Sequence, residues 1–114
     1  MDAAQFLLRL GPALVMVVFG LHQWVKPGNW LHYIPAWATK NSPMKPESSM
    51  HLHALGNIVF GLFLASGWHP YLGAWVGLLW WISILPFAFR VNWAIGLRDL
   101  AITAGLAALV LLMR

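Results

Sequence analysis

The sequence predicts an all-α integral membrane protein: a four-helix bundle with a short interfacial segment between the first and second helices. Three observations carry this. First, 61% of the 114 residues are hydrophobic and 9% are charged, with a mean hydropathy of +0.71. A soluble domain carries about 25% charged residues. This chain lacks the side chains to cover a water-facing surface, whereas lipid accepts apolar residues all round. Second, its apolar stretches each approach the roughly 20 residues that a spanning helix needs. Third, it holds eight tryptophans, whose rings suit the membrane–water boundary, where an apolar body and a polar N–H are both satisfied.

A single transmembrane domain over 1–114 is expected, with spans at about 5–25, 49–68, 71–89 and 93–113. The first span has an uncharged centre from Leu10 to Leu21. Pro12 should kink it or free a carbonyl. Lys26-Pro27-Gly28-Asn29 stops it. The stretch from Trp30 to Trp37 is aromatic, too short to span and broken by Pro35, which suits the headgroup region. Ala38 to Ser49 holds Lys40, Pro43, Lys45, Pro46 and Glu47 and is the longest polar loop. Ser48 or Ser49 is a candidate cap for the second span. His69-Pro70 makes a tight turn into the third, Pro86 lies near that helix's end, and Arg90-Val91-Asn92 turns the chain into the fourth. Small residues recur four apart at Gly61/Ala65, Gly73/Gly77 and Ala101/Gly105. In lipid, close backbone approach at such pairs replaces the missing hydrophobic drive between helices.

Charge and composition exclude several classes. There are no cysteines, which removes disulfides, thiolate chemistry, Cys-ligated metals and the four-helix quinone-linked thiol oxidases. The net charge of +4 marks the cytoplasmic loops of a membrane protein rather than a nucleic-acid site. No cleaved leader is expected, because the apolar run after Arg9 ends at His22 and Lys26 without a small-residue cleavage site. Lys26, Lys40, Lys45, Arg90 and Arg98 fall on one side of the membrane; Arg9 and Arg114 fall on the other. That asymmetry predicts a multi-pass protein of the cell membrane with the Lys40/Lys45 loop cytoplasmic and both termini outside.

Polar residues stand where apolar ones are expected. His22 and Gln23 close the first helix, His51, His53 and Asn57 open the second, and Arg98 and Asp99 open the fourth. All these ends lie on one side of the membrane, so the groups can converge on one cavity, and intramembrane ionisable residues are functional candidates by default. His53, Asn57 and Gly61 form one stripe at four-residue spacing, which should face a neighbouring helix. Arg98 and Asp99 are adjacent and diverge by about 100° around the helix, so Asp99 is expected to seek His22, His53, Lys26 or Arg90 instead. The plainer alternative has Arg98 snorkelling to the headgroups and Asp99 capping the fourth helix. Candidate ligand-binding residues are therefore His22, His53, Asn57, Arg98 and Asp99, with Trp24 and Trp30 beside them.

No catalytic residue is legible, and no metal site is expected, because no tight His-x-x-x-His pair exists. Haem would need His22 and His53 as facing axial ligands, but both sit near the interface. A proton-coupled exporter would need a carboxylate at mid-bundle, and the only acids are Asp2, Glu47 and Asp99.

Arg9-Leu10-Gly11, Phe19-Gly20-Leu21-His22, Lys26-Pro27, Ile34-Pro35-Ala36-Trp37, Leu55-Gly56-Asn57, Gly61-Leu62 and Arg98-Asp99-Leu100 together resemble the DoxX-like membrane proteins. The resemblance implies a four-helix integral membrane fold. Relatives of that kind include a subunit linked to thiosulfate:quinone oxidoreduction and a membrane partner of a secreted redox-defence complex. The chain departs at Asn57, where related chains often carry an acid, and the resemblance supplies no catalytic residue. The expected function is an accessory or small-molecule-binding subunit of a membrane redox system rather than an enzyme in its own right. Its cofactor candidate is quinone, with the aromatic residues around the polar cluster taking the head group and the apolar bundle the tail. The alternative is a scaffolding or lipid-binding protein, with a small transporter or haem-binding subunit behind it. Expected partners are the lipid bilayer, then quinone, other membrane redox subunits or a second copy of the chain, and no nucleic acid.

Overall fold

A computed structural model describes residues 2–114. Four helices are long and apolar enough to cross a membrane: α1 (Ala3–Val25), α3 (Pro46–Ser66), α4 (Pro70–Val91) and α5 (Trp93–Met113). At about 1.5 Å per residue, the shortest, of 21 residues, reaches about 31 Å, close to the thickness of a hydrocarbon core. Between α1 and α3 lie a 3₁₀ helix (Pro27–Tyr33) and α2 (Ala36–Asn41). The aromatic stretch expected as one segment is thus two short helices, because Pro35 cannot donate to a continuing ladder.

The helix ends follow local chemistry. Asp2 Oδ1 accepts from Gln5 N at 2.8 Å and caps α1. α1 runs unbroken through the buried Pro12. Neither Ser48 nor Ser49 caps α3: the helix starts earlier, with Pro46 in its first turn and Lys45 before it. Proline suits that position because its missing N–H would have no helical partner there. Pro70 opens α4 in the same way. α3 ends at Gly67, whose φ of 68° is the left-handed cap that glycine adopts without strain. The Arg9 side chain lies against the face where a Cβ of residue 67 would stand. Asn92, not Asp99, caps α5: its Oδ1 accepts from Ala94 N at 2.7 Å.

The helices pack as two tight pairs, α1 with α3 and α4 with α5, while α3 and α4 touch more sparsely. Ala13, Met16, Leu64, Ala74, Leu78, Leu106 and Leu109 fill the shared core. Leu7, Leu14 and Leu21, seven apart on α1, point outward with Leu62, Leu79 and Leu111, as a lipid-facing surface requires. The α1/α3 pair is close because of glycine. A Cβ at Gly61 would lie 3.0 Å from Met16 Cβ and 3.2 Å from the Ala13 carbonyl. Of the three small-residue pairs, Gly61 and Gly73/Gly77 lie against a neighbouring helix and Ala65 packs on the core; Ala101 is exposed and Gly105 meets only the end of the Leu8 side chain of α1.

Candidate functional site

At the end of the bundle that carries the 3₁₀ helix, the spanning helices separate around a cavity of about 200 Å³. Its walls are largely apolar, with Met16, Phe19, Trp81, Ile84 and Phe87 among them, and Trp30, Tyr33 and Pro35 contribute from the short segment above. The polar groups that reach it are Gln23, Ser49, His53, Asn57, Arg98 and Asp99.

Asn57 stands at the centre of a chain of hydrogen bonds crossing three helices. Trp80 Nε1 on α4 donates to Asn57 Oδ1 at 2.6 Å, and Asn57 Nδ2 donates to Gln23 Oε1 on α1 at 2.8 Å. An amide serves here because it offers one acceptor and one donor group; a carboxylate is acceptor-only. That requirement accounts for an uncharged side chain at position 57. It also ties the sparsely packed α3/α4 seam through a polar contact.

Arg98 and Asp99 do pair, against expectation. Arg98 Nε donates to Asp99 Oδ1 at 3.0 Å. Angular divergence of neighbouring residues constrains Cβ directions, but the long Arg98 side chain folds across that gap. Its guanidinium lies 5.3 Å from the centroid of the Phe19 ring, within the range of a cation–π attraction. The two partners differ in exposure: the Asp99 side chain is 3% exposed and that of Arg98 is 46%. Asp99 sits beyond the first turn of α5, and its carbonyl accepts from Thr103 Oγ1 at 2.8 Å.

His53, Asn57, Arg98, Asp99 and Trp30 line the cavity; His22 and Trp24 do not. His22 lies at the exposed end of α1, where its Nδ1 accepts from Trp30 Nε1 at 2.7 Å and so holds the 3₁₀ helix in place. Arg90 secures the other side of that segment, donating to the His32 carbonyl at 2.8 Å. Trp24 is 49% exposed and packs its ring on His51, whose Nε2 lies 3.1 Å from the Trp24 carbonyl. The pair of histidines weighed as haem ligands therefore have different surroundings.

Contributors absent from the sequence-derived set include Gln23, Tyr33, Ser49 and Trp81 on the cavity wall and Trp80 bonded to Asn57. Tryptophan belongs at the membrane boundary, yet Trp80 and Trp81 fall in the middle of α4. That departure was the signal for an indole with a polar task. Trp80 has a partner in Asn57. Trp81 is 3% exposed, and no acceptor among the described residues reaches its Nε1.

The DoxX family model matches residues 4–93 of this chain. The chain thus belongs to the DoxX family and is a multi-pass membrane protein. The match spans α1, α3, α4 and the short segment over the cavity and stops short of Arg98 and Asp99. No curated protein and no solved structure matches the chain.

Proposed function

We propose that this protein binds a membrane-soluble molecule with a planar, carbonyl-bearing head group, quinone being the class that fits, and serves as an accessory subunit of a membrane redox system. The observation that carries this reading is Trp81, which lines the cavity and whose buried Nε1 has no hydrogen-bond partner among the described residues. Leaving a buried donor unsatisfied costs about 1–3 kcal/mol, a cost that a ligand carbonyl oxygen brought within its reach would remove. The remaining lining suits such a head group. Phe19, Trp30, Phe87 and the Trp81 ring are flat apolar surfaces, and His53, Gln23 and the Arg98–Asp99 pair supply polar edges. Pockets that enclose a whole drug-sized ligand run to about 300–1,000 Å³, so a cavity of about 200 Å³ suits a ring alone.

The test is Trp81→Phe, which keeps a ring and removes the donor. With a tail-less benzoquinone as probe and the protein in nanodiscs, calorimetric titration should show binding to the native protein. In the variant, affinity should fall about tenfold, the equivalent of one hydrogen bond. Unfolding without the probe should change only modestly, because the packing lost with the smaller ring is partly offset by removal of an unpartnered buried donor. No binding to the native protein, or equal affinity in the variant, would overturn the reading.

The proposal also orients the chain, with the Lys40/Lys45 loop in the cytoplasm and the termini outside, from the asymmetry of cationic residues. The absence of cysteine makes Ser42→Cys a clean reporter. In intact cells it should resist an impermeant maleimide and react only after permeabilisation; ready labelling beforehand would invert the topology.

A further inference from the structure

A second concavity, of about 540 Å³, lies on the lipid-facing side of α3 and α4. Leu52, Leu55, Val59, Phe60 and Trp80 line it, with Met44 at the loop end. Its origin is the uneven seam between these two helices. Near their joining turn Gly73 lets α4 approach Phe63 and the Leu64 backbone. Farther along, the gap is filled by the Trp80 indole, which rests against Gly56. Trp80 leaves a trough beside it that opens among Leu52, Leu55 and Val59, all of them half or more exposed or nearly so.

The trough and the inner cavity share two lining residues, Ser49 and His53. His53 is stacked on Trp80, with ring centroids 5.0 Å apart and planes at 19°. The two rings are held differently. Trp80 is anchored through Nε1 to Asn57, whereas no hydrogen bond among the described residues holds the His53 ring. The Trp80–Asn57–Gln23 hydrogen bonds do not involve His53, so a rotation of its ring would leave them in place.

We propose that the α3/α4 trough holds the apolar tail of the molecule whose head group occupies the cavity, and that His53 is the movable sill between them. The inference rests on the head-group reading above and assigns the rest of the ligand. The occupant is argued from continuity and phase. The polar lining ends at the shared Ser49 and His53, and beyond them the trough is apolar. A cavity sized for a ring has to release any tail, and its lining on the other side comes from Trp30, Tyr33, Pro35 and Ala38, in the segment that precedes the polar loop. The ligand class is therefore an amphiphile with a carbonyl-bearing ring and a linear or isoprenoid chain, entering sideways from the bilayer between α3 and α4.

Two probes separate this from the head-group reading: a benzoquinone ring without a tail, and the same ring carrying a decyl tail, with affinities referred to probe concentration within the nanodisc bilayer. The native protein should prefer the tailed probe by about three- to tenfold, a modest gain because trough and lipid are both apolar and only packing distinguishes them. Val59→Trp fills the trough on a lipid-facing position and should abolish that preference while leaving the tail-less affinity unchanged. A decyl tail ending in a diazirine should crosslink to the α3 peptide containing Leu55 and Val59 in the native protein, a readout independent of how the variant folds. Equal affinities for the two probes in the native protein, or crosslinks only elsewhere, would overturn the tail site while leaving the cavity reading intact. Failure of both probes to bind the native protein would overturn both.

Discussion

Arg98→Leu is expected to destabilise the folded bundle by about 3 kcal/mol, the lower end of what is lost when one member of a buried pair is removed. Asp99→Asn is expected to cost about 1 kcal/mol or less. The difference follows from where each charge is left. Without Arg98, the Asp99 carboxylate, 3% exposed, keeps no cationic partner in an apolar surround. Without the carboxylate, Arg98 already has 46% of its side chain exposed. It can carry its guanidinium to water or headgroups, and an asparagine oxygen still accepts from its Nε. The double variant Arg98→Leu/Asp99→Leu should recover most of the loss, because apolar residues replace a buried pair at little net cost. Unfolding in mixed micelles, measured on all three variants, checks this. Equal losses for the two single variants would show that Asp99 is solvated and that the pair is an ordinary surface contact.

Gly20→Leu is expected to prevent α1 from docking on α3 and to leave little folded protein. A Cβ at residue 20 would stand 2.8 Å from Ile58 Cγ1, 2.9 Å from the Ala54 carbonyl oxygen and 3.0 Å from Asn57 Cβ. Ile58 can change rotamer, but the α3 backbone at Ala54 cannot yield without moving the helix. A single methyl, Gly20→Ala, should cost about 1–3 kcal/mol, the usual scale of overpacking. A leucine adds a branched group where the first atom already collides. The site suffers along with the fold, since Gln23 lies one turn beyond Gly20 and its bond from Asn57 at 2.8 Å requires the two helices in contact. Gly11→Ala is the control. Nothing lies within 4 Å of a Cβ there, and alanine favours the helix over glycine by up to about 1 kcal/mol. Tm values in detergent should therefore move in opposite directions for Gly11→Ala and Gly20→Ala; parallel shifts would place the α1/α3 contact elsewhere.

Much of the candidate site was legible because lipid penalises polar groups wherever they stand. His53, Asn57, Arg98 and Asp99 were conspicuous against apolar runs, and they line one cavity. His22 and Trp24 were equally conspicuous but lie outside it. Rotation about the helix axis decides which way an end-of-helix residue points, and near the interface water accepts either choice. The Arg98–Asp99 contact was hidden for another reason: helical geometry fixes where a side chain starts, not where a long one finishes. Gln23 stood beside His22 in the sequence, yet its value depends on Asn57 across the α1/α3 contact, a partner 34 residues away.

The sequence by itself determined the class and the number of spans. Apolar run length against bilayer thickness is a one-dimensional constraint, and it called for four spans, the number of helices long and apolar enough to cross a membrane. The tertiary structure alone decided the rest: the division into two helix pairs, the 3₁₀ helix tied down by His22 and Arg90 over the cavity, and the isolation of Trp81 Nε1. Those features depend on how neighbouring helices are rotated and how closely glycine lets them approach. Within lipid that balance rests on packing and a few hydrogen bonds between distant residues, which no local pattern of apolar residues records.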